Sequence, residues 1–389
     1  MPLSNTLDSI LSAAVDAGDV PGVAAVVTDR DGLVYSGGFG VRALGETAAM
    51  TADTVVWYAS ITKPVAAAAV MQLVDQGRLS LDTPARAILP ELGQVRVLTG
   101  FGDDGAPLTR PPRREITLRH LLTHTSGFGY HDWNAEILRY LDATGTPGVL
   151  SCRNAALTTP LLFDPGDAWN YGISIDWACK MLEAVTGQGL GAYLQANLLG
   201  PLGMADTGFR ITPPMRARLA RIHQRGADGS LGLHDLEVPQ DPEFEMGGGG
   251  LYGTMPDYAR FIRMILNDGA AADGQVLSPD TIALMTANQM GDTRVAMLKS
   301  CNPAVSNDAE FFPGMAKAWG LSFMINTERA PTGRPAGSLA WAGLANTYFW
   351  IDRENGLGGA FATQILPFAD VHALPLFLAF EKAVYDARA

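Results

Sequence analysis

Residues 57–73 read WYASITKPVAAAAVMQL. Ser60 and Lys63 stand three positions apart at the head of an alanine-rich segment, and Pro64 follows the lysine directly. On a helix that spacing puts both side chains on one face, within reach of each other. A serine hydroxyl is a weak nucleophile at neutral pH and needs a base beside it. A lysine can be that base only where burial or a nearby cation depresses its pKa. Trp57, Val65 and the alanine run supply apolar surroundings of that kind. Pro64 is tolerated because the first helical turn has no intrahelical acceptor for the missing N–H. The helix start also directs free backbone N–H groups towards an anion forming beside Ser60.

The chain holds fifteen serines and only five lysines. Chance therefore supplies about 0.2 serine–x–x–lysine matches, and Ser60 heads the sole instance. The competing reading is an N-cap serine followed by a solvated lysine one turn later. Other serine signatures are missing: no complete G-x-S-x-G occurs, and Gly172-Ile-Ser174-Ile-Asp176 lacks its last glycine.

At 389 residues the chain exceeds the size at which one compact core usually stops growing, so two lobes are expected. Hydrophobic residues make up 47% and charged residues 17%, a composition that folds. A formal charge of −12 argues against nucleic acid as a partner. The one basic cluster, RPPRRE from Arg110 to Glu115, reads as a solvated loop. No run of uncharged apolar residues is long enough for a membrane span, so no membrane is expected as a partner. The start MPLSNTLDSILSAAVDAG carries Asp8 and Asp16 and no basic leader, unlike a secretory signal. Three widely spaced cysteines, Cys152, Cys179 and Cys301, read as reduced thiols, and a cytoplasmic location is the expectation.

Helical spacing of Leu7, Ile10, Leu11 and Val15 predicts an N-terminal amphipathic helix. GVAAVVTDRDGLVYSGGFG reads as two strands turning at Asp31-Gly32. A helix is predicted from Ser60 to Gln76, stopped by Gly77. Strand patterns return in WGLSFMIN (319–326) and in residues 346–366, the latter turning at Glu354-Asn355-Gly356. The last segment, DVHALPLFLAFEKAVYDARA, predicts a C-terminal helix. Strands at both ends with helices between them imply an α+β protein with one sheet assembled from both termini. The expected division is a sheet domain of residues 1–85 and 310–389, and an inserted, mostly helical and irregular domain of 86–309. A site in the cleft between the two is the default expectation.

ASITKP followed by an alanine-rich helix resembles the serine β-lactamase and penicillin-binding-protein superfamily. LRHLLTHTSGFGY (118–130), FDPGDAWNYGISID (163–176), GGGGLYGTMPDYARF (247–261) and LAWAGLANTYFWID (339–352) extend the likeness. Together the blocks resemble the class C β-lactamase-like esterases called family VIII carboxylesterases. The resemblance implies a β-lactamase/transpeptidase-like fold, with an antiparallel sheet flanked by helices. It also implies a second motif that begins with tyrosine, a place taken by Tyr171, whose hydroxyl relays a proton between Ser60, Lys63 and the leaving group. Ile173 stands where the common Y-x-N pattern has an asparagine that contacts a lactam amide. A third motif, K-T-G in lactamases and peptidases, is replaced by Trp341-Ala342-Gly343. A tryptophan offers an apolar wall and one N–H but no cation, which suits an uncharged ester better than a carboxylate-bearing lactam. Gly343 then lets the strand backbone approach the substrate, and the N–H groups of Ser60 and Leu344 form the oxyanion hole.

These implications make the chain a serine carboxylesterase for short-chain esters, working through a Ser60 acyl-enzyme with Lys63 and Tyr171 as general base and acid. It needs no cofactor and no metal, and its partner is a small-molecule ester. A β-lactamase or D-amino-acid peptidase, an acyltransferase to a specific alcohol, and a catalytically idle binding protein on the same fold are the alternatives. His120 and His124, four apart, could share a helix face for a metal, but H-E-x-x-H lacks its glutamate here and Leu121 and Leu122 point to packing. Gly247–Gly250 lacks the G-K-[ST] ending of a phosphate loop.

Overall fold

The apolar run GVAAVVTD forms β1 (Gly22–Asp29), and the glycine-rich LVYSGGFG folds back on it as β2 (Leu33–Gly40). Asp29 closes the turn between them by accepting the backbone N–H groups of Asp31 and Gly32 on Oδ1. A computed structural model of the chain describes residues 2–272 and 274–388. In it β1 and β2 complete a seven-stranded sheet whose other strands come from the far end of the chain. These are β3 (Lys317–Trp319), β4 (Met324–Asn326), β5 (Leu339–Gly343), β6 (Thr347–Asp352) and β7 (Leu357–Ala362). The order is β3-β4-β5-β6-β7-β1-β2, with every neighbouring pair antiparallel. Val26 of β1 thus lies between Ser36 of β2 and Ala360 of β7.

Helices cover both faces of the sheet. The terminal helices α1 (Leu3–Asp16) and α5 (Ala373–Asp386) pack together on one side. There Phe377 stacks on Tyr348 at 4.6 Å, and Phe380 meets Trp350 edge-on at 6.0 Å. Because side chains alternate along a strand, Phe349 faces the other way, towards Tyr258 of α4 (Met255–Leu266), 5.3 Å between centroids. Helix α4, although it falls within the stretch 86–309, lies against β1, β6 and β7. Helix α2 (Thr62–Asp75) is buried at every position from Thr62 to Leu73, and α3 (Ser174–Thr186) packs along it. An alanine-rich helix suits this place, since its small side chains let neighbours come close on all sides. Among the described residues no helix is long and apolar enough to cross a membrane.

One local departure from the sequence expectations has a physical cause. WGLSFMIN is not one strand: Ser322 takes a left-handed backbone conformation (φ 76°), and the chain reverses between β3 and β4. The reversal is anchored from outside the sheet, because Leu122 O accepts both Ser322 N–H (3.0 Å) and Trp319 Nε1–H (3.3 Å). The basic cluster is exposed, as a solvated loop is, and it is also held in place. Arg110 grips Asp164 through two hydrogen bonds of 2.8 Å, and Arg113 N–H adds a third, tying this loop to the segment that leads to Tyr171.

Candidate active site

The chain enters the site along Val56–Trp57, a short strand paired with Tyr252–Gly253, and turns sharply at Ala59, where φ is 48°. A single 3₁₀ turn, Ala59–Ile61, carries Ser60, and α2 begins only at Thr62. The expected helix start at Ser60 is therefore two residues early. No glycine marks the left-handed turn at Ala59, and the conformation is imposed by tertiary contacts. Tyr58 N–H donates to Leu251 O (2.9 Å), its hydroxyl to Thr254 O (2.6 Å), and its carbonyl accepts the Thr347 hydroxyl (2.8 Å). Pro64 sits in the first turn of α2, where its missing N–H leaves no bond unmade.

Lys63 is fully buried, and its Nζ lies 3.1 Å from Ser60 Oγ. The same nitrogen donates to the Gly248 carbonyl (2.5 Å) and to the Tyr130 hydroxyl (3.1 Å), and it lies 4.6 Å from the centre of the Tyr171 ring. Burial pulls its pKa down to about 7, against the opposing charge of Asp176. A substantial fraction of Lys63 is therefore neutral at physiological pH and able to accept the Ser60 proton. Tyr171 is also buried, and its hydroxyl accepts the Trp341 Nε1–H at 3.0 Å. Burial pushes the Tyr171 pKa well up, with Ser60 and Trp341 opposing, so the phenol keeps its proton at neutral pH. The arrangement can thus offer a base in Lys63 and a proton donor in Tyr171 beside one serine.

Residues 341–344 reach this turn from the other end of the chain. Gly343, the last residue of β5, lies against Tyr58 O and Ala59. A Cβ at 343 overlaps both the Thr347 hydroxyl and the Tyr58 carbonyl, so the close approach requires glycine. The strand backbone is thus pressed against the turn that carries Ser60, and Leu344 borders Ser60 in both clefts described below. Gly343→Ala is expected to cost about 1–3 kcal/mol as an overpacked contact and to lower kcat as β5 backs away from Ser60. Thermal melting and p-nitrophenyl butanoate kinetics check this, and an unchanged Tm and kcat would show that the strand has room to spare.

Two residues beside Lys63 carry no local signature. Tyr130 sits in the loop after the helix Leu118–Leu122 and reaches Lys63 through its hydroxyl. Asp176, in the first turn of α3, is 1% exposed and accepts Gly248 N–H on Oδ1 at 2.8 Å. Burial raises the Asp176 pKa to about 6, with Lys63 opposing. Gly248 therefore joins the pair through its backbone, its N–H on the carboxylate and its carbonyl on the ammonium. A Cβ there meets Asp176 Oδ2 at 2.7 Å and Tyr130 Oη at 2.9 Å. Asp176→Asn keeps the shape and the acceptor but removes the charge that raises the Lys63 pKa. The expected outcome is an acid limb of kcat/KM displaced to lower pH than in the wild type. A limb that does not move would show that Lys63 is not the group titrating.

His120 and His124 do not share a helix face: the helix ends at Leu122, and His124 has φ 57°. His120 Nδ1 accepts Thr117 N–H (3.2 Å), while His124 is packed beside Tyr171 and Trp319 at 4.9 and 5.4 Å between ring centres. Burial, then Lys63, holds the His124 pKa well below the usual range, so it stays neutral. Among the described residues no group of three His, Cys, Asp or Glu gathers to hold a metal. Ile173 immediately precedes α3 and is 2% exposed, putting an aliphatic group where the asparagine of Y-x-N would be.

Ser60 opens onto two small clefts, one towards Tyr130, Met246 and Leu150, the other towards Tyr171, Trp341 and Phe368. Asp132 is the one charged side chain among their lining residues, and it already accepts a hydrogen bond from Asn302 Nδ2 (3.1 Å). No lysine or arginine lines either cleft.

Comparison with known proteins places these features in a wider setting. Residues 7–381 match a family model described as Beta-lactamase. A lovastatin esterase from Penicillium rubens is 34% identical over 381 residues, covering 93% of each chain. A monacolin J acid methylbutanoyltransferase from Aspergillus terreus is 31% identical over 97% of this chain and 95% of its own. In structure, a mutant simvastatin synthase from Aspergillus terreus superimposes with a TM-score of 0.86 at 30% identity, covering 99% of this chain and 97% of that one.

Proposed function

This chain belongs to the beta-lactamase family of serine hydrolases, and on that basis we propose that it is a carboxylesterase acting on uncharged esters of short acyl chains. The observation that carries this reading is the buried Lys63 Nζ at 3.1 Å from Ser60 Oγ, in a site whose clefts hold no cation. A lactam or peptide carboxylate finds no partner there, and leaving it unpaired in an apolar cleft is costly. Trp341, standing in place of the K-T-G lysine, spends its N–H on Tyr171 and shows the substrate only an apolar surface.

The reaction runs in two steps. Neutral Lys63 takes the Ser60 proton as Oγ bonds to the ester carbonyl carbon, and the backbone N–H groups of Ser60 and Leu344 hold the oxyanion. The C–O bond to the alcohol then breaks, and Tyr171 gives that oxygen its proton and is reprotonated from Lys63. In the second step a water gives its proton to the same groups, attacks the acyl carbon, and releases the acid and Ser60.

The methylbutanoyltransferase among the relatives favours a second reading, in which a specific alcohol replaces water in the second step. One experiment addresses both. Butanoyl p-nitrophenyl ester is incubated with and without a panel of alcohols, and the products are quantified. Butanoic acid as the main product throughout supports the esterase. A butanoyl ester formed faster than the acid with one alcohol makes the protein an acyltransferase, and turnover of a chromogenic cephalosporin without ester turnover sinks both.

A further inference from the structure

The two clefts at Ser60 are not equivalent, and they meet between Trp133 and Leu344, which line both. The first is the larger, about 40 Å³, room for about three water-sized groups. Met246, Val149 and Leu150 supply its aliphatic lining on the side away from the second cleft. Met246 is 3% exposed, and the Gly248–Gly249 backbone beside it is fixed by Lys63 and by Trp57 Nε1–H, which donates to Gly249 O at 2.6 Å. The second cleft, about 10 Å³, runs past the Tyr171 hydroxyl to Trp341, Phe368 and Leu298. Leu298 belongs to residues 287–316, a stretch without helix or ladder strand. It is pinned over the site by the Leu298–Ala309 bridge, by Trp133 Nε1–H on Ser306 Oγ (2.8 Å) and by the Ser306–Phe368 bridge.

The chemistry of acyl transfer assigns different tasks to the two sides. The leaving oxygen must meet a proton donor. Both phenols beside Ser60 accept a hydrogen bond, Tyr130 from Lys63 and Tyr171 from Trp341, but Tyr171, the acid of the reaction proposed above, lines only the second cleft. The acyl group stays through both steps and needs a fixed chamber, while the alcohol must leave and be replaced, which suits a wall made of irregular chain. We propose that the Met246 cleft is the acyl chamber, closing at roughly four carbons, and that the Leu298 cleft receives the alcohol. Met246 and Leu150 set acyl length, and Leu298 sets alcohol size. The assignment rests on the esterase reading above and adds its direction.

The test crosses two ratios in purified full-length protein. One is kcat/KM for p-nitrophenyl hexanoate over butanoate, and the other is 2-naphthyl over ethyl butanoate. Met246→Ala is expected to raise the first ratio about tenfold, as one or two accommodated methylenes allow, and to leave the second unchanged. Leu150→Ala, at a less buried position, provides the same reading if the methionine variant does not fold. Leu298→Ala is expected to raise the second ratio and leave the first. Exchanged effects, or ratios that do not respond, overturn the assignment while leaving the esterase in place. No Ser60-dependent acylation by any of these esters, followed by mass spectrometry, overturns the esterase reading and this assignment with it.

Discussion

Ser60→Ala is expected to lower kcat/KM for p-nitrophenyl butanoate by on the order of 10⁴-fold or more, as loss of an acyl-enzyme nucleophile does elsewhere. The geometry leaves no substitute. Among the described residues Ser60 carries the one aliphatic hydroxyl bonded to Lys63 Nζ, and Tyr130 and Tyr171 are phenols that burial keeps protonated. The variant should also fail to form the covalent butanoyl adduct that mass spectrometry detects on the wild type during turnover. Folding is expected to survive, because the partners of the Ser60 hydroxyl, Lys63 and Tyr171, are held by other bonds as well and alanine fits the 3₁₀ turn. A variant purified free of host esterases that keeps more than about a hundredth of the wild-type rate would put the nucleophile elsewhere.

Lys63→Met is expected to cost about 10²–10⁴-fold, the range supplied by a positioned general base. Methionine matches the length of the stem and suits a position that is fully buried, so the loss reports the amine rather than a cavity. The wild type is expected to carry the matching signature in its pH profile. The active form has Lys63 neutral, so kcat/KM falls as pH drops through about 7 and levels off above it. No basic limb follows until far higher pH, since the donor, Tyr171, has its pKa pushed up by burial. A profile flat from pH 5 to 9, or one falling on the alkaline side of 7, would contradict the assignment of the base.

How much of this was legible beforehand depends on how far apart the interacting residues lie in the chain. Ser60 and Lys63 are a local pair, and helical spacing suffices to bring them together. The hairpin at Asp31-Gly32 and the turn at Glu354-Asn355-Gly356 were equally local, and both separate strands as expected. Tyr171 stood out only through resemblance, because nothing in NYGI marks a tyrosine that will meet a lysine from another helix. Tyr130 and Asp176 lie inside stretches that carry the family resemblance, but no local pattern marks either as a partner of Lys63. Tyr130 meets Lys63 directly, Asp176 meets it through the backbone of Gly248, and no linear pattern records a meeting of residues so far apart in the chain. The late start of α2 has the same origin: Ala59 is turned by partners at residues 251, 254 and 347.

The place of β1 in the sheet also bears on how the protein is made. Its hairpin partner β2 follows it off the ribosome at once, but its other partner, β7, spans Leu357–Ala362. At about 5–20 residues per second the wait between them is tens of seconds. During that time a strand destined for burial at all but its last residue exposes one bare edge, a liability that chaperones exist to cover. The same delay governs chemistry, because Ser60 emerges long before the strand bearing Gly343 and Leu344. A nascent chain already holds Ser60 yet has no groove to hold a substrate against it, so acyl chemistry at that serine must wait until residues 339–344 have emerged and paired.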